Sequence, residues 1–378
     1  MVAGEASGDL LAGLLLTAMR QRFPGMTAHG VGGIHMRAAG FRADWASERL
    51  AVRGYAEVVT RLPELLLLRK RLGDALIGSP PDAFIGVDAP DFNLALETRL
   101  RRNKIPVLHF VSPSLWAWRG ERIDAIRRAV DHMLVLFPFE EKLYQDAGIE
   151  ASYVGHPLAD VIALEPDRQA ARTALGQVVD APLVALLPGS RLAEIRYNGP
   201  VFLEAAALLK AERPELRFLV PMASPQARLA FDAVLKASRL SLNDVLVIEH
   251  GTHQVLGAAN AALVASGTAT LEAALFKCPM VVAYRMAALS YAMMKNKGYL
   301  PWVALPNILA REFLVPEFLQ SEATPKALAD ALSFQLDDPA NRERLKQRFT
   351  EMHLQLRCNT GERSANAIAQ FLDRHRRP

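Results

Sequence analysis

Along the first half of the chain, runs of four or five apolar residues alternate with longer stretches in which apolar positions recur every three or four residues. The short runs fit strands buried on both faces. The longer stretches fit helices that cover them, which together is the pattern of parallel sheets in α/β domains. The predicted strands are Val2–Ala3, Ala28–Val31, Ala83–Val87, Val107–Val111, Met133–Phe137 and Ser152–Val154. Helices are expected over Asp9–Arg22, Leu62–Gly73, Leu94–Asn103, Arg119–Ala129 and Phe139–Ala147. After the polar segment Glu165–Val179 the pattern restarts. Leu183–Leu187 reads as a fresh first strand, followed by Arg217–Pro221, Val245–Glu249, Ala261–Val264 and Met280–Tyr284, with helices over Pro200–Glu212 and Thr268–Phe276. Two Rossmann-like units joined near residues 160–182 and facing across a cleft are therefore expected. The 378 residues agree with two domains at roughly 150 residues each. The opening "MVAG" is short for a strand of about five residues, so either that strand is abbreviated or the chain begins inside it.

Composition narrows the partners. Hydrophobic residues make up 51% and charged residues 22%, values of a globular chain and not a disordered one. The net charge of +4 suits phosphorylated ligands or an anionic membrane surface. It is too weak to argue for nucleic acid, and no basic stripe is interleaved with aromatics. Cys278 and Cys358 are far apart and read as two reduced thiols in a cytosolic protein. No apolar run approaches the roughly 18–20 residues that span a bilayer.

Several stretches carry candidate chemistry. "VAGEASGDLLAG", from Val2, has the glycines of a phosphate cradle, yet Glu5 and Asp9 would repel a phosphate. In "FIGVDAPDFNLALE", Asp88 ends an apolar strand, at the sheet edge where ligands of open α/β sheets bind. Pro90 and a helix cap account for Asp91 without chemistry, so Asp88 is the better catalytic candidate. In "VALLPGSRLAEI", Gly189 and Ser190 allow close backbone approach, and Arg191 can fork onto a diphosphate. In "VASGTATLEAAL", Ser266, Gly267 and Thr268 open a helix whose free N–H groups suit a phosphate, and Glu272 one turn on can accept from ribose hydroxyls. Trp116 and Trp118 either pack under their loop or line a sugar or acyl pocket. His156 is either a satisfied turn histidine or reaches into the interdomain cleft. "RLPELLLLRKRLGDAL" sets Leu65, Leu66, Leu67 and Leu68 beside Arg69, Lys70 and Arg71, a helix suited either to a core or to an anionic membrane. The Met-rich stretch that carries Lys295 and Lys297 is likewise core or an acyl-chain surface. There is no P-loop, no G-x-G-x-x-G after a strand, no HExxH or Cys/His cluster, and no Asp-x-Asp pair after a strand.

Taken in order, "VAGEASGD", "GVGG..M...G", "GVDAPDFN", "VSPSLWAW", "FPFE", "YVGHPLAD", "LLPGSR..EI", "ASGTATLE", "KCPMVVAYRM" and "LPN" resemble the lipid-A-disaccharide synthases through nearly the whole chain. The resemblance implies a GT-B fold whose C-terminal helix returns to the first domain. That gives an acceptor and membrane-facing domain of residues 1–160 plus about 353–378, and a UDP-sugar domain of residues 161–352. The implied reaction moves 2,3-diacylglucosamine from its UDP derivative to 2,3-diacylglucosamine 1-phosphate (lipid X), with inversion to a β-1,6 link, in lipid A biosynthesis. No metal or other cofactor is expected. The implied location is the cytoplasmic face of the inner membrane of Gram-negative bacteria, and family members can form homodimers. Asp88 matches the family's proposed base, and Asn307 in "LPN" matches a position near the nucleotide. With the UDP phosphates assigned to the second domain, Glu5, Ser7 and Asp9 become expected sugar-facing residues, Ser7 as the helix cap and Glu5 as a competing base. Trp116 and His156 join the same expected wall. The competing readings are an isomerase of the UDP-N-acetylglucosamine 2-epimerase type and a non-catalytic nucleotide-binding or membrane-scaffold protein.

Overall fold

A computed structural model describes every residue except positions 5, 48–49, 51–54, 117–119, 178–180, 289–290, 292–299 and 376–378, and every other side chain except those of 6 and 55–60. Two compact units emerge: Met1–Asp160 with Leu356–Pro378, and Val161–Gln355.

The first unit is built on β1 (Val2–Ala3), β2 (His29–Gly32), β3 (Arg42–Ala46), β4 (Phe84–Val87), β5 (Val107–Phe110), β6 (His132–Val135) and β7 (Glu150–Tyr153). They pair in parallel in the order β3-β2-β1-β4-β5-β6-β7. The connecting helices are α1 (Ala6–Arg22), α2 (Ile34–Ala38), α3 (Tyr55–Gly78), α4 (Pro90–Arg102), α5 (Ile123–Ala129), α6 (Pro138–Asp146) and α7 (Pro157–Val161). Side chains alternate across the sheet. Phe84, Val107 and Met133 pack with Leu96 and Leu100 on one face, while Ile85, Leu108 and Leu134 pack with Leu15 and Leu16 on the other. Although β1 has two residues, it is central: Val2 pairs with both Val31 and Gly86. Strand order reverses between β1 and β4, the switch point at which such sheets bind ligands.

The second unit repeats the plan. It comprises α8 (Arg168–Ala174), β8 (Leu183–Leu187), α9 (Leu192–Glu212), β9 (Arg217–Met222), α10 (Pro225–Lys236), β10 (Val245–Glu249), α11 (Thr252–Ala258), β11 (Ala261–Val264), α12 (Thr268–Leu275), β12 (Met280–Tyr284), α13 (Leu305–Ala310), β13 (Glu317–Leu319), α14 (Pro325–Asp337) and α15 (Pro339–Leu356). The parallel order is β10-β9-β8-β11-β12-β13, with its switch point between β8 and β11. Every residue of β8 is buried, as a strand covered on both faces requires. The last helix, α16 (Thr360–His375), packs on α1 in the first unit and buries Ala365, Ile368 and Phe371 there.

Two strands were not expected from the sequence. β3 is an edge strand with no fully buried residue, and β13 has three half-buried residues, so neither carries an apolar run. Helix α9 begins at Leu192 and contains Pro200, whereas the proline was expected to open it.

Candidate functional site

In the first unit, the chain leaves β4 through Asp88 and Ala89, both left-handed (φ 51° and 46°). Pro90 then starts α4 at a position that needs no N–H. Asn93, one turn into α4 and fully buried, donates from Nδ2 to the Asp88 carbonyl at 2.8 Å. Left-handed backbone is uncommon for residues other than glycine, so this bond fixes a strained turn that places a half-buried Asp88 at the switch point. Asp91 pairs with Arg122 at 2.6 Å and is 81% exposed, in keeping with a surface role.

The other expected residues of this unit are used differently. Glu5 lies outside the described residues, as do Trp118, Lys295 and Lys297. Ser7 is an exposed residue inside α1, not its cap. Asp9 is 3% exposed, and its carboxylate accepts from the backbone N–H groups of Gly33 (2.6 Å), His35 (2.9 Å) and Met36 (3.2 Å). That carboxylate holds the start of α2, which corrects the expectation that it faces sugar hydroxyls. Trp116 donates to Glu140 at 2.9 Å and meets Phe137 and Phe139 edge-on, so it packs under its loop. Burial lifts the Glu140 carboxyl to about 7, against bonds from Phe137 N–H and Trp116 that favour its charge. His156 is also a structural residue: it is buried, stacks on Phe137, and accepts from Leu158 N–H at Nδ1. Burial lowers it to about 4, with Asp160 opposing. On α3, Leu66 and Leu67 are 44% and 47% exposed and Leu65 is half-buried. Leu68 belongs instead to the inward stripe with Leu72 and Leu76. Lys70 and Arg71 are exposed, and Arg69 reaches the Asp91 carbonyl at 3.5 Å.

In the second unit, the loop after β8 turns at Gly189 (φ 126°), where a Cβ would stand 2.4 Å from the Cβ of Glu194. Glu194 caps α9 by accepting from the N–H groups of Ser190 (3.0 Å) and Arg191 (3.1 Å). The Arg191 side chain is 70% exposed, and its guanidinium lies 3.4 Å from Glu194 Oε1. Neither Glu194 nor Asn198 was singled out from the sequence. Asn198 is fully buried and ties the loop to the end of β12, donating to Pro188 O and accepting from Arg285 N–H. The E-x-x-x-N spacing after a strand-ending glycine was the available signal.

The loop after β11 is more open. Gly267 (φ 132°) is the N-cap of α12, no side chain caps that helix, and a Cβ on Gly267 would meet nothing within 4 Å. Ser266 is occupied, donating to Val303 O at 2.9 Å. Uncapped N–H groups at a helix start, facing open space, make an anion site. Glu272 lies one turn on and is 3.5 Å from His253. Asn307 is fully buried: it donates to Val315 O and Glu317 and accepts from Leu314 and Val315 N–H. It is a structural bracket with no bond left for a nucleotide, contrary to the expectation.

Two Rossmann-like units of this topology are the architecture of GT-B glycosyltransferases and related epimerases. Similar folds are the calicheamicin glycosyltransferase CalG4 (17% identity, TM-score 0.58, 98% of this chain and 96% of that one) and the UDP-GlcNAc 2-epimerase of Neisseria meningitidis bound to UDP-GlcNAc (13%, 0.61, 97% of each). The sequence goes further. A family model described as lipid-A-disaccharide synthetase matches residues 1–369. The lipid-A-disaccharide synthase of Burkholderia thailandensis is 51% identical over 99% of this chain and 96% of that protein. That of Azoarcus sp. (strain BH72) is 52% identical over 98% and 95%. The chain belongs to the lipid-A-disaccharide synthase family and is a glycosyltransferase of lipid A biosynthesis.

Proposed function

We propose that this enzyme transfers 2,3-diacylglucosamine from UDP-2,3-diacylglucosamine to lipid X, with Asp88 as the base. The observation that carries the reaction is the family match over residues 1–369. In the proposed step the acceptor 6-oxygen bonds to the donor's anomeric carbon as the bond from that carbon to the diphosphate oxygen breaks. The electron pair leaves with UDP, and the hydroxyl proton passes to Asp88. A single displacement inverts the centre and needs one base. The support for Asp88 is its half-buried position in a strained turn at the switch point. Arg191 and the uncapped start of α12 at Gly267 and Thr268 would meet the charge growing on UDP, and Glu272 would hold the ribose. We propose that no metal takes part, so turnover should persist in EDTA.

The acyl chains of both substrates call for contact with a membrane surface. Leu62, Leu66 and Leu67, exposed on α3 near Lys70 and Arg71, are suited to the cytoplasmic face of the inner membrane. Among the described residues no helix is long and apolar enough to cross a membrane. The test is to incubate the protein with both acylated sugars in detergent and EDTA. Disaccharide and UDP are expected, and Asp88→Asn is expected to abolish both while UDP binding persists. Full turnover by that variant removes Asp88 as base.

A further inference from the structure

Two residues before Asp88, the sheet holds a buried acid–imidazole pair. His109 on β5 and Glu97 on α4 are each fully buried, with Nδ1 and Oε1 2.6 Å apart. His109 lies opposite Gly86 in the strand register. A Cβ on Gly86 would stand 2.0 Å from Glu97 Oε1, so the glycine makes the space that admits the carboxylate. The remaining polar atoms, His109 Nε2 and Glu97 Oε2, are buried and have no hydrogen-bond partner. Glu97 follows Asn93 by four residues, so one face of α4 carries both the side chain that fixes the Asp88 carbonyl and the acid of the pair. The neighbouring strand ends are strained together: Asp88, Ala89 and Val111 all have positive φ (51°, 46° and 78°). For a β-branched residue such as Val111 this is an outlier, and outliers of this kind cluster at functional sites.

An apolar core has no need of a buried ion pair, since apolar residues of similar volume are often at least as stable. We propose that Glu97 and His109 are positioning residues that hold one proton as an imidazolium–carboxylate pair and so set the ionisation of Asp88. This rests on Asp88 being the acceptor base. Neither residue is assigned contact with substrate.

The electrostatics fit. Burial pulls His109 down, but the charge and hydrogen bond of Glu97, the charge of Asp88 and the nearby Val111 backbone, which lies outside hydrogen-bond geometry, together raise it above the ordinary imidazole range. The ionisable groups acting on it are Glu97 from α4 and Asp88 beyond β4, while β6 sets Met133 against it. Coupling between two sites is reciprocal. If Asp88 favours the imidazolium, the imidazolium favours the Asp88 carboxylate by the same factor.

Two measurements test this. The first is the pH profile of kcat for Glu97→Gln and His109→Gln, each of which removes the cation. The acid limb is expected to move up by about one pH unit, in the range for loss of a nearby opposite charge, with UDP affinity unchanged. The second uses wild-type protein and Asp88→Asn, and so does not depend on those variants folding: the His109 ring is followed by 15N NMR against pH. Its titration midpoint is expected to be lower in Asp88→Asn. Wild-type acid limbs in both glutamine variants, or an unmoved His109 midpoint, overturn the inference and leave the base assignment standing. An active Asp88→Asn enzyme overturns the base assignment itself.

Discussion

The sharpest departure from the sequence reading is Asp9, and it is open to direct test. The perturbation is Asp9→Ala, with Asp9→Asn beside it. The wild-type carboxylate accepts three backbone N–H groups between 2.6 and 3.2 Å and is 3% exposed. Hydrogen bonds to a charged group contribute about 1.5–3 kcal/mol each, and stranded buried donors carry a further penalty. The three share one acceptor and do not add fully, and water entering the alanine cavity satisfies the outermost donor. The expected loss is therefore about 3–4 kcal/mol, a large part of the roughly 5–15 kcal/mol that holds a domain folded. Asparagine keeps one acceptor but turns an NH2 group toward donors, so a loss of about 2 kcal/mol is expected. The assay is urea unfolding of both variants against wild type, with the slope compared to confirm that the same surface is exposed. UDP affinity, assigned to the other unit, is measured by calorimetry and should not change. If Asp9→Ala unfolds at the wild-type midpoint but loses acceptor affinity, Asp9 is a sugar-binding residue and the structural account is wrong.

Three further outcomes are expected. Arg191→Ala should weaken UDP binding at least tenfold, a loss of about 1.4 kcal/mol or more, read by calorimetry; unchanged affinity removes Arg191 from the diphosphate. Asn307→Ala should lower the unfolding midpoint, since it removes a buried side chain that bonds Val315 O, Val315 N–H, Leu314 N–H and Glu317, while KM for the UDP-sugar stays at the wild-type value. The third is a pair of opposed pH effects on stability. Glu140, raised from 4.5 to about 7, makes the fold less stable as pH rises through that window, because the unfolded chain ionises first. His156, lowered from 6.5 to about 4, makes the fold less stable as pH falls through its window, because the unfolded chain binds the proton first. At 1.36 kcal/mol per unit each amounts to about 3 kcal/mol. Between pH 4.5 and 6.5 the two slopes cancel, so His156→Asn should leave stability falling with pH and Glu140→Gln should leave it rising; parallel slopes in both variants refute the assignment.

Most strands were legible because they carry an apolar run, which in β8 and β11 is buried throughout. β3 and β13 were not, because neither carries such a run and neither has a fully buried residue. The placement of candidate residues at strand ends was legible: Asp88 follows β4, Gly189 follows β8 and Gly267 follows β11, as expected from the sequence. It was misread where a polar side chain serves the backbone. Asp9, Asn307 and His156 have the residue types of a sugar or nucleotide site, but their partners are chiefly main-chain groups 7 to 27 positions away or two residues on. No local pattern announces such a bond.

That distinction bears on which polar residues deserve a chemical role. A buried carboxylate whose oxygens are all taken by N–H groups, like Asp9, has its hydrogen-bonding capacity committed to the fold. Glu97 differs: it is equally buried, yet one oxygen remains without a partner and the other shares a proton with a histidine whose second nitrogen is also unpartnered. Satisfying the backbone explains the first arrangement completely. The second leaves two polar atoms bare in the core, at a cost of about 1–3 kcal/mol each, across from Gly86 on the strand that leads into Asp88. A fold selected for stability alone would gain by replacing that pair with apolar residues, which is why the proton it holds is better referred to Asp88 than to the core.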